Sequence, residues 1–282
     1  MTRSVVSGTI VSVAPVGAEA SKSEVAALPT TLAELIQAAR ECEKAGASLI
    51  HVHLRDEATQ PTLDVTYAKE VVTTLRQETA LIVQLSTGGA VRDPESARIA
   101  VLEAQPDSAS LTCGTVNFGT EVFVNRWPFI AELYRRMQAT GIAPEFEIFD
   151  LGHISTLRRL LEEFGPPPDG HVHVDLVAGV RGGMPGTPEA ILACVRDLDD
   201  GWTFSATGIG FSTIPVMLTS LALGGHLRVG MEDTLKFTRG RPVQSNAELV
   251  QRAATLATLA ARPPMTPKET RALLHLPQYS SR

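Results

Sequence analysis

The chain has 282 residues, of which 44% are hydrophobic, and this is enough apolar material for one large α/β domain. Its formal net charge of -6 at pH 7 lacks the basic excess with which proteins bind nucleic acids or anionic membranes. The three cysteines are odd in number and have no CxxC spacing, which argues against both a disulfide framework and a thiolate zinc site.

Two segments bear on localisation. The N-terminal run "MTRSVVSGTIVSVAPVGAEA" is β-rich and broken by serine and glycine, unlike a signal peptide. The most apolar later run, "FSTIPVMLTSLALGG", is too short and too interrupted to span a bilayer. We therefore expect a cytoplasmic protein with no membrane or nucleic-acid partner.

Eight β-rich segments alternate with amphipathic helical segments along the chain. The predicted strands lie in "TIVSVAPV", "SLIHVHL", "LIVQLS", "SASLTCG", "EFEIFD", "HVHVDLVAG", "TFSATGIG" and "LRVGME". This rhythm predicts a closed (β/α)8 TIM barrel, and a doubly wound open sheet is the alternative. We expect a single domain over residues 1–282, with a C-terminal extension from about residue 263 that is a candidate for contact with a neighbouring subunit.

Capping residues predict where two helices begin and end. The first helix is expected to begin after Thr30 or Thr31 and to stop at Gly46. In the segment "DPESARIAVLEAQ", Asp93 is predicted to be the N-cap and Pro94 the first helical residue.

Two histidines one residue apart lie late in the second predicted strand. Because successive side chains of a strand alternate, His51 and His53 point to the same face. The active sites of these barrels lie at the C-terminal ends of the strands. Zinc or a similar divalent ion binds two neutral imidazoles and one carboxylate, and Glu232, after the eighth strand, can complete this set. The alternative is that both histidines are buried and bonded to backbone.

Further polar residues are expected at the same mouth. The segment "STGGA", residues 86–90, offers backbone N–H groups and hydroxyls to a carboxylate or an enolate oxygen. Glu145 and Glu147 share one face of the fifth strand, and Arg228 and Asp233 lie near the end of the eighth. The loop "VRGGMPGTPE" after the sixth strand is a candidate seat for a phosphate-bearing cofactor.

Three other histidines receive different interpretations. His171 and His173 begin the sixth strand, at the end of the barrel away from the predicted site, and are interpreted as structural. His153 follows the fifth strand and either reaches the mouth or caps a helix.

Seven ordered matches along nearly the whole chain resemble the β-keto acid cleavage enzymes. They are "VGAE", "HVHLRD", "QLSTGGA", "SLTCGTVNFG", "EFEIFDLGH", "GGMPGTPE", and "LRVGMED" with "SNAELV". The resemblance implies a (β/α)8 barrel, one catalytic zinc per chain, and conversion of a β-keto acid and acetyl-CoA into acetoacetate and a new acyl-CoA. It also implies a homo-oligomer, with a tetramer favoured.

The resemblance assigns a metal site and a substrate pocket residue by residue. Its zinc ligands fall on His51, His53 and Glu232, and Asp56 is a candidate to orient a zinc histidine. Its pocket residues fall on Glu19, Ser86, Gly89 and a strand-four hydroxyl, for which Ser110 is preferred to Thr112. Glu19 favours a keto acid with a cationic or hydrogen-bond-donating end.

The implied catalytic carboxylate falls on Glu147, with Glu145 as the alternative. On this interpretation, Glu147 takes a proton from the methyl group of acetyl-CoA and the enolate attacks the ketone that zinc polarises. CoA transfer and retro-Claisen cleavage follow. Arg228 and Ser86 hold the carboxylate and the developing oxyanion, and Asp233 orients Arg228.

Three other classes of protein fit parts of the pattern. They are a metal-dependent barrel hydrolase, a Claisen-type aldolase or synthase, and a non-catalytic binding protein. The two enzyme classes usually carry the histidine pair on the first strand or late in the chain, whereas it lies on the second strand here. Dependence on acetyl-CoA separates all three from a β-keto acid cleavage enzyme.

Overall fold

The computed structural model describes residues 7–168 and 170–277. Eight parallel strands close into a barrel in chain order, because β1 pairs with both β2 and β8. This confirms the predicted (β/α)8 fold and rules out the open sheet. The strands are β1 Val11–Val13, β2 Leu49–Val52, β3 Ile82–Leu85, β4 Ser108–Thr112, β5 Ala143–Ile148, β6 His173–Ala178, β7 Thr203–Gly208 and β8 His226–Val229.

The helices cover the outside of the barrel and one of its ends. They are α1 Leu32–Ala45, α2 Val65–Glu78, α3 Glu95–Ala100, α4 Trp127–Thr140, α5 Gly152–Phe164, α6 Pro188–Asp197, α7 Thr213–Ala222, α8 Asn246–Leu259 and α9 Pro267–Leu273. Two short 3₁₀ turns precede other elements, at Val101–Ala104 and Gly210–Ser212. Within the two described ranges, no helix is long and apolar enough to cross a membrane.

The predicted ends of α1 are confirmed, whereas the predicted start of α3 is wrong. Thr31 caps α1 in a capping box with Glu34, and Gly46 ends it with a φ of 110°. Pro94, not Asp93, is the N-cap of α3. The Asp93 carboxylate instead accepts a hydrogen bond from the Ala90 N–H at 2.7 Å, which closes the glycine-rich turn after β3.

Among the described residues, three two-stranded antiparallel hairpins stand apart from the barrel sheet, and the sequence patterns did not predict them. The first, second and third hairpins follow β2, β4 and β8, at the C-terminal mouth of the barrel. Their strands are Leu54–Arg55 with Pro61–Thr62, Val116–Phe118 with Glu121–Phe123, and Lys236–Thr238 with Arg241–Pro242. His53 therefore lies between the end of β2 and the first hairpin.

The barrel separates apolar from polar side chains across each strand. Outward residues such as Ile50, Leu111 and Phe146 pack in two large clusters beneath the helices. The inward positions are largely polar, unlike the branched aliphatic layers that usually fill such barrels. The inward polar residues are buried and include Ser12, His51, Gln84, Ser108, Ser110, Thr112, Glu145, Glu147, His173, Asp175, Ser205, Thr207, His226 and Arg228.

The C-terminal segment closes the N-terminal end of this chain's own barrel. Leu274 and Leu276 are buried in a cluster with Ile10, Leu49 and Ile82. These two leucines therefore pack within the chain, and contact of the segment with a neighbouring subunit stays a prediction.

Candidate active site

Three predicted metal ligands converge at the C-terminal mouth. The ligand atoms of His51, His53 and Glu232 all lie within 4.8 Å of one another. Nε2 of His51 is 3.9 Å and Nε2 of His53 is 3.7 Å from the Glu232 carboxylate. Two imidazoles and one carboxylate at this spacing form the donor set that zinc accepts in catalytic sites.

The protonation of these ligands fits a cation. Burial and the nearby Arg228 guanidinium lower the pKa of His51 well below its usual range, and the pKa of His53 to about 4, so both rings are neutral at pH 7. Oε2 of Glu232 is buried and has no hydrogen-bond partner among the described residues. An orphaned carboxylate oxygen beside two neutral imidazoles fits a divalent ion.

A buried amide, rather than Asp56, contacts the metal cluster, the name used here for the three side chains of His51, His53 and Glu232. Nδ1 of His51 lies 2.5 Å from Oε1 of Gln84. The prediction that Asp56 orients a zinc histidine is wrong, because its carboxylate accepts from the Gln60 N–H in the first hairpin. Arg55, from the same motif, donates to the carbonyl oxygens of Gly17 and Ala20 and so holds the loop that carries Glu19.

Arg228 lies at the centre of the buried charges. Its guanidinium contacts the Glu232 carboxylate and lies 3.0 Å from that of Asp233. Two further carboxylates approach it, Glu147 at 3.5 Å and Asp175 at 3.9 Å. Burial raises the pKa of Asp175, Glu232 and Asp233, while Arg228 opposes this shift. The predicted polar pair Arg228 and Asp233 thus forms a direct hydrogen-bonded ion pair.

All of these charged groups except Asp175 lie in the wall of a cavity of about 630 Å³ at the mouth. Its remaining wall is largely apolar and includes three phenylalanines. The predicted residues that line it are Glu19, His53, Ser86, Gly89, Glu147, Arg228, Glu232 and Asp233, and the apolar wall includes Phe118, Phe123, Phe149, Val177, Val180, Ile209, Met231 and Leu235. A cavity of this size, with convergent polar groups at one end, suits a small-molecule substrate.

Register separates the alternatives on β4 and β5. Thr112 pairs with Glu147 and donates to its carboxylate at 2.7 Å, beside the cavity. Ser110 pairs with Glu145 one layer deeper, and its Oγ accepts from the Thr87 N–H at 3.3 Å. The structure does not bring Ser110 or Glu145 to the wall of the cavity. Glu145 instead lies 3.6 Å from His173, towards the N-terminal end.

The glycine-rich turn after β3 presents Ser86, Gly88 and Gly89 to the cavity. Gly89 has a φ of +61°, and a Cβ there would collide with the Asp93 carboxylate. The turn therefore requires glycine, as expected for a backbone that approaches a ligand closely. Its Thr87 is turned away, because its hydroxyl donates to the Ser110 carbonyl at 2.7 Å.

The loop after β6 is fixed against the second hairpin. The Gly119 N–H donates to the Arg181 carbonyl at 2.8 Å, and Gly182, with a φ of 110°, has no room for a Cβ against Asn117. Arg181 lines the cavity, and its side chain has no ion-pair partner within the described ranges. The loop ends where Thr187 caps α6.

The other histidines have structural environments. His171 and His173 both bond the Thr203 hydroxyl, at 2.8 and 2.7 Å, near the N-terminal end, in agreement with the structural interpretation. His153 begins α5, accepts from the Phe149 N–H at 3.3 Å, and does not line the cavity.

Comparison with known proteins identifies the family. The family model described as beta-keto acid cleavage enzyme matches residues 8–276. A 3-keto-5-aminohexanoate cleavage enzyme of Acetoanaerobium sticklandii is 34% identical over 271 residues, which cover 94% of this chain and 97% of that protein. A 3-oxoadipate:acetyl-CoA acetyltransferase of Cupriavidus necator is 34% identical, covering 95% of each chain. A 3-dehydrocarnitine:acetyl-CoA trimethylamine transferase of Rhizobium meliloti is 31% identical, covering 92% and 94%.

A solved structure shows the same fold. The apo structure of ObcA superposes with a TM-score of 0.74 at 18% identity, over 88% of this chain and 65% of that one. This chain thus spans about two thirds of ObcA, and at this identity the likeness supports the barrel fold alone.

The metal cluster generates a direct prediction. We expect about one divalent ion per chain in the isolated protein, and less than a tenth of that after His53→Ala, because a two-ligand site binds far more weakly. Elemental analysis after dialysis against chelator-treated buffer measures this. His275→Ala, at the opposite end of the barrel, is the control and should keep its metal. A metal-free wild type with full activity would contradict the assignment.

Proposed function

The chain belongs to the beta-keto acid cleavage enzyme family, and we propose that it converts a β-keto acid and acetyl-CoA into acetoacetate and a new acyl-CoA. One observation carries the proposal: His53 and Glu232, which form a cluster with the buried His51, line the same cavity as Arg228 and the carboxylates of Glu147 and Asp233. We propose zinc as the ion. When bound, it would polarise the ketone oxygen of the keto acid.

Atom balance decides which bond forms. The acyl part of the keto acid leaves on CoA, so acetoacetate must combine carbons 1 and 2 of the keto acid with the intact acetyl group. The new bond therefore joins carbon 2 of the keto acid to the carbonyl carbon of acetyl-CoA. The expectation that the methyl group of acetyl-CoA loses the proton is wrong, because that route joins the wrong carbons.

The reaction then proceeds in balanced steps. A carboxylate removes a proton from carbon 2, and the resulting enolate attacks the acetyl carbonyl and displaces CoA thiolate. The thiolate adds to the original ketone carbon, and the bond between that carbon and carbon 2 breaks. Carbon 2 takes the proton back, which releases acetoacetate and the new acyl-CoA. Proton removal and return by one group is ordinary general acid–base catalysis.

Asp233 is the carboxylate that we propose for this proton transfer. Its Oδ1 lies 3.0 Å from Arg228, whereas its buried Oδ2 has no hydrogen-bond partner among the described residues. Burial raises its pKa towards neutrality, which suits a group that both takes and returns a proton. Glu147, which the sequence favoured, has one oxygen held by Thr112, and we propose that it holds Arg228 beside the substrate.

The remaining wall residues orient the substrates. We propose that Arg228 and the turn containing Ser86 and Gly89 bind the carboxylate and developing oxyanion of the keto acid. Glu19, at the rim, selects a keto acid with a cationic or hydrogen-bond-donating end. The apolar wall, with Phe123 and Phe149, packs against the stem of that substituent.

The base assignment is tested by hydrogen exchange. Asp233→Asn keeps the acceptor for Arg228 but loses the base, so turnover should fall by about 10²-fold or more. Exchange of the carbon 2 hydrogens of the keto acid in deuterated water, followed by NMR without acetyl-CoA, should fall to the uncatalysed rate. Glu147→Gln should retain exchange. Exchange that is lost in Glu147→Gln but retained in Asp233→Asn would show that Glu147 is the base.

Arg181 gives a second test, through the phosphates of acetyl-CoA. We propose that this unpaired cation binds them, because the other charged groups of the rim, such as Glu19 and Glu24, are acidic. Arg181→Gln should raise KM for acetyl-CoA about tenfold, the cost of one charge-assisted hydrogen bond, but leave KM for S-acetylpantetheine, which lacks the nucleotide phosphates, unchanged. Arg135→Gln, on the outer face of α4, is the control. Equal effects on both thioesters would contradict the assignment.

We also propose a homo-oligomer, with a tetramer favoured. Phe211 is 97% exposed beside the mouth and Leu259 is 79% exposed on the outer surface, and large exposed apolar side chains are common at subunit contacts. Sedimentation equilibrium at micromolar concentration should give about four times the chain mass of 30.2 kDa. A strictly monomeric mass would contradict this.

A further inference from the structure

A buried amide connects the metal cluster to the interior of the barrel. Gln84, on β3, has no exposed surface. Parallel register places it beside His51 of β2 on one side and Ser108 of β4 on the other. Its Oε1 lies 2.5 Å from His51 Nδ1, and its Nε2 donates to the Ser108 hydroxyl at 3.1 Å. The three side chains thus form one hydrogen-bonded row across three neighbouring strands.

We propose that Gln84 is a positioning residue, which holds His51 as the tautomer that can bind the metal. This rests on the metal site of the proposed function. An amide oxygen only accepts hydrogen bonds, so His51 must carry its proton on Nδ1. Its Nε2, the nitrogen that faces Glu232 at 3.9 Å, is then left with a free lone pair.

The hydrogen-bond partners of Gln84 agree with this orientation of the amide. The Nε2 end of Gln84 contacts Ser108 and also hydrogen-bonds the Glu145 carboxyl group. A rotated amide would place its carbonyl oxygen against that carboxyl group and its NH₂ group against the His51 ring. The unrotated amide satisfies both sides at once. Ser108 and Glu145 therefore act on His51 through Gln84.

A neutral partner also suits the charge of the interior. Metal-bound histidines commonly donate to a carboxylate or a backbone carbonyl. A carboxylate at position 84 would add another negative charge beside Glu145, Glu147 and Glu232, which already crowd one arginine. An amide supplies the same acceptor without that repulsion. The identity of residue 84 is therefore set by the metal ligand on one side and the buried acids on the other.

Metal binding by the chelator-stripped protein tests this without any turnover. We expect Gln84→Leu to weaken zinc affinity about 10- to 100-fold in a competition with a chromophoric chelator. It should also change the visible absorption of the cobalt(II) form, because the His51 ring is released. Gln84→Asn, whose shorter amide does not reach His51, should behave likewise. Gln84→Glu, which keeps an acceptor but adds the negative charge that the buried acids disfavour, should recover only part of the affinity.

Controls separate this role from general damage to the fold. Ser205→Ala removes another buried hydroxyl of the interior, one that bonds His173 at 3.0 Å, and should leave zinc affinity unchanged. Circular dichroism identifies variants that fail to fold. If Gln84→Leu does not fold, Gln84→Asn is used for the test in its place. Wild-type affinity and an unchanged cobalt spectrum in both folded variants would overturn the proposal. Loss of affinity in a protein that never transfers acetyl groups would refute the proposed reaction but not the role of Gln84.

Discussion

One buried arginine governs the charge balance of the barrel interior. Arg228 is 4% exposed, and a cation in such a place is stable only when carboxylates surround it. Four carboxylates do so, and burial, together with their mutual repulsion, raises the pKa of three of them. A divalent cation at the His51, His53 and Glu232 cluster would supply the positive charge that one guanidinium cannot. The proposed metal site, the proposed base and the arginine that we propose binds substrate are therefore one electrostatic unit, and none can be changed without altering the others.

This unit explains why the interior of the barrel is polar. An apolar interior would leave Arg228 and its partners without hydrogen bonds, which costs several kcal/mol for each buried charge. Within the charged layer, Asp175 accepts from the Thr207 hydroxyl at 2.6 Å, and beneath that layer His173 bonds both Thr203 and Ser205. Hydroxyls and imidazoles thus supply hydrogen-bond partners in successive layers of the barrel interior. The interior becomes apolar again at Leu274 and Leu276.

Sequence reasoning recovered the features that periodicity and spacing encode. The alternation of strands and helices predicted the barrel, and the histidine spacing with the end of the eighth strand predicted the metal cluster. Assignments that depend on strand register could not be made from the sequence. Ser110 and Thr112 look equivalent there, and only the pairing with β5 shows which one is opposite Glu147. Gln84 gave no signal, because one polar residue in "LIVQLS" is unremarkable until its neighbours are known. Hairpin strands of two or three residues are too short for any periodicity, and the docking of Leu274 depends on contacts distant in sequence.

The second hairpin contributes to the shape of the cavity, whereas the metal cluster, Arg228 and the carboxylates around it come from other elements. It carries Phe118 and Phe123 into the cavity wall, yet it forms a sheet of its own, outside the pairing of the barrel strands. Evolution can therefore vary the length and polarity of this hairpin while the barrel strands and their reactive groups stay unchanged. For an engineer, exchanging residues 114–125 between relatives is a route to altered keto acid preference, provided that two sets of contacts are kept: those of Asn117 and Gly119 with the loop after β6, and the bond from Arg98 to Asn125.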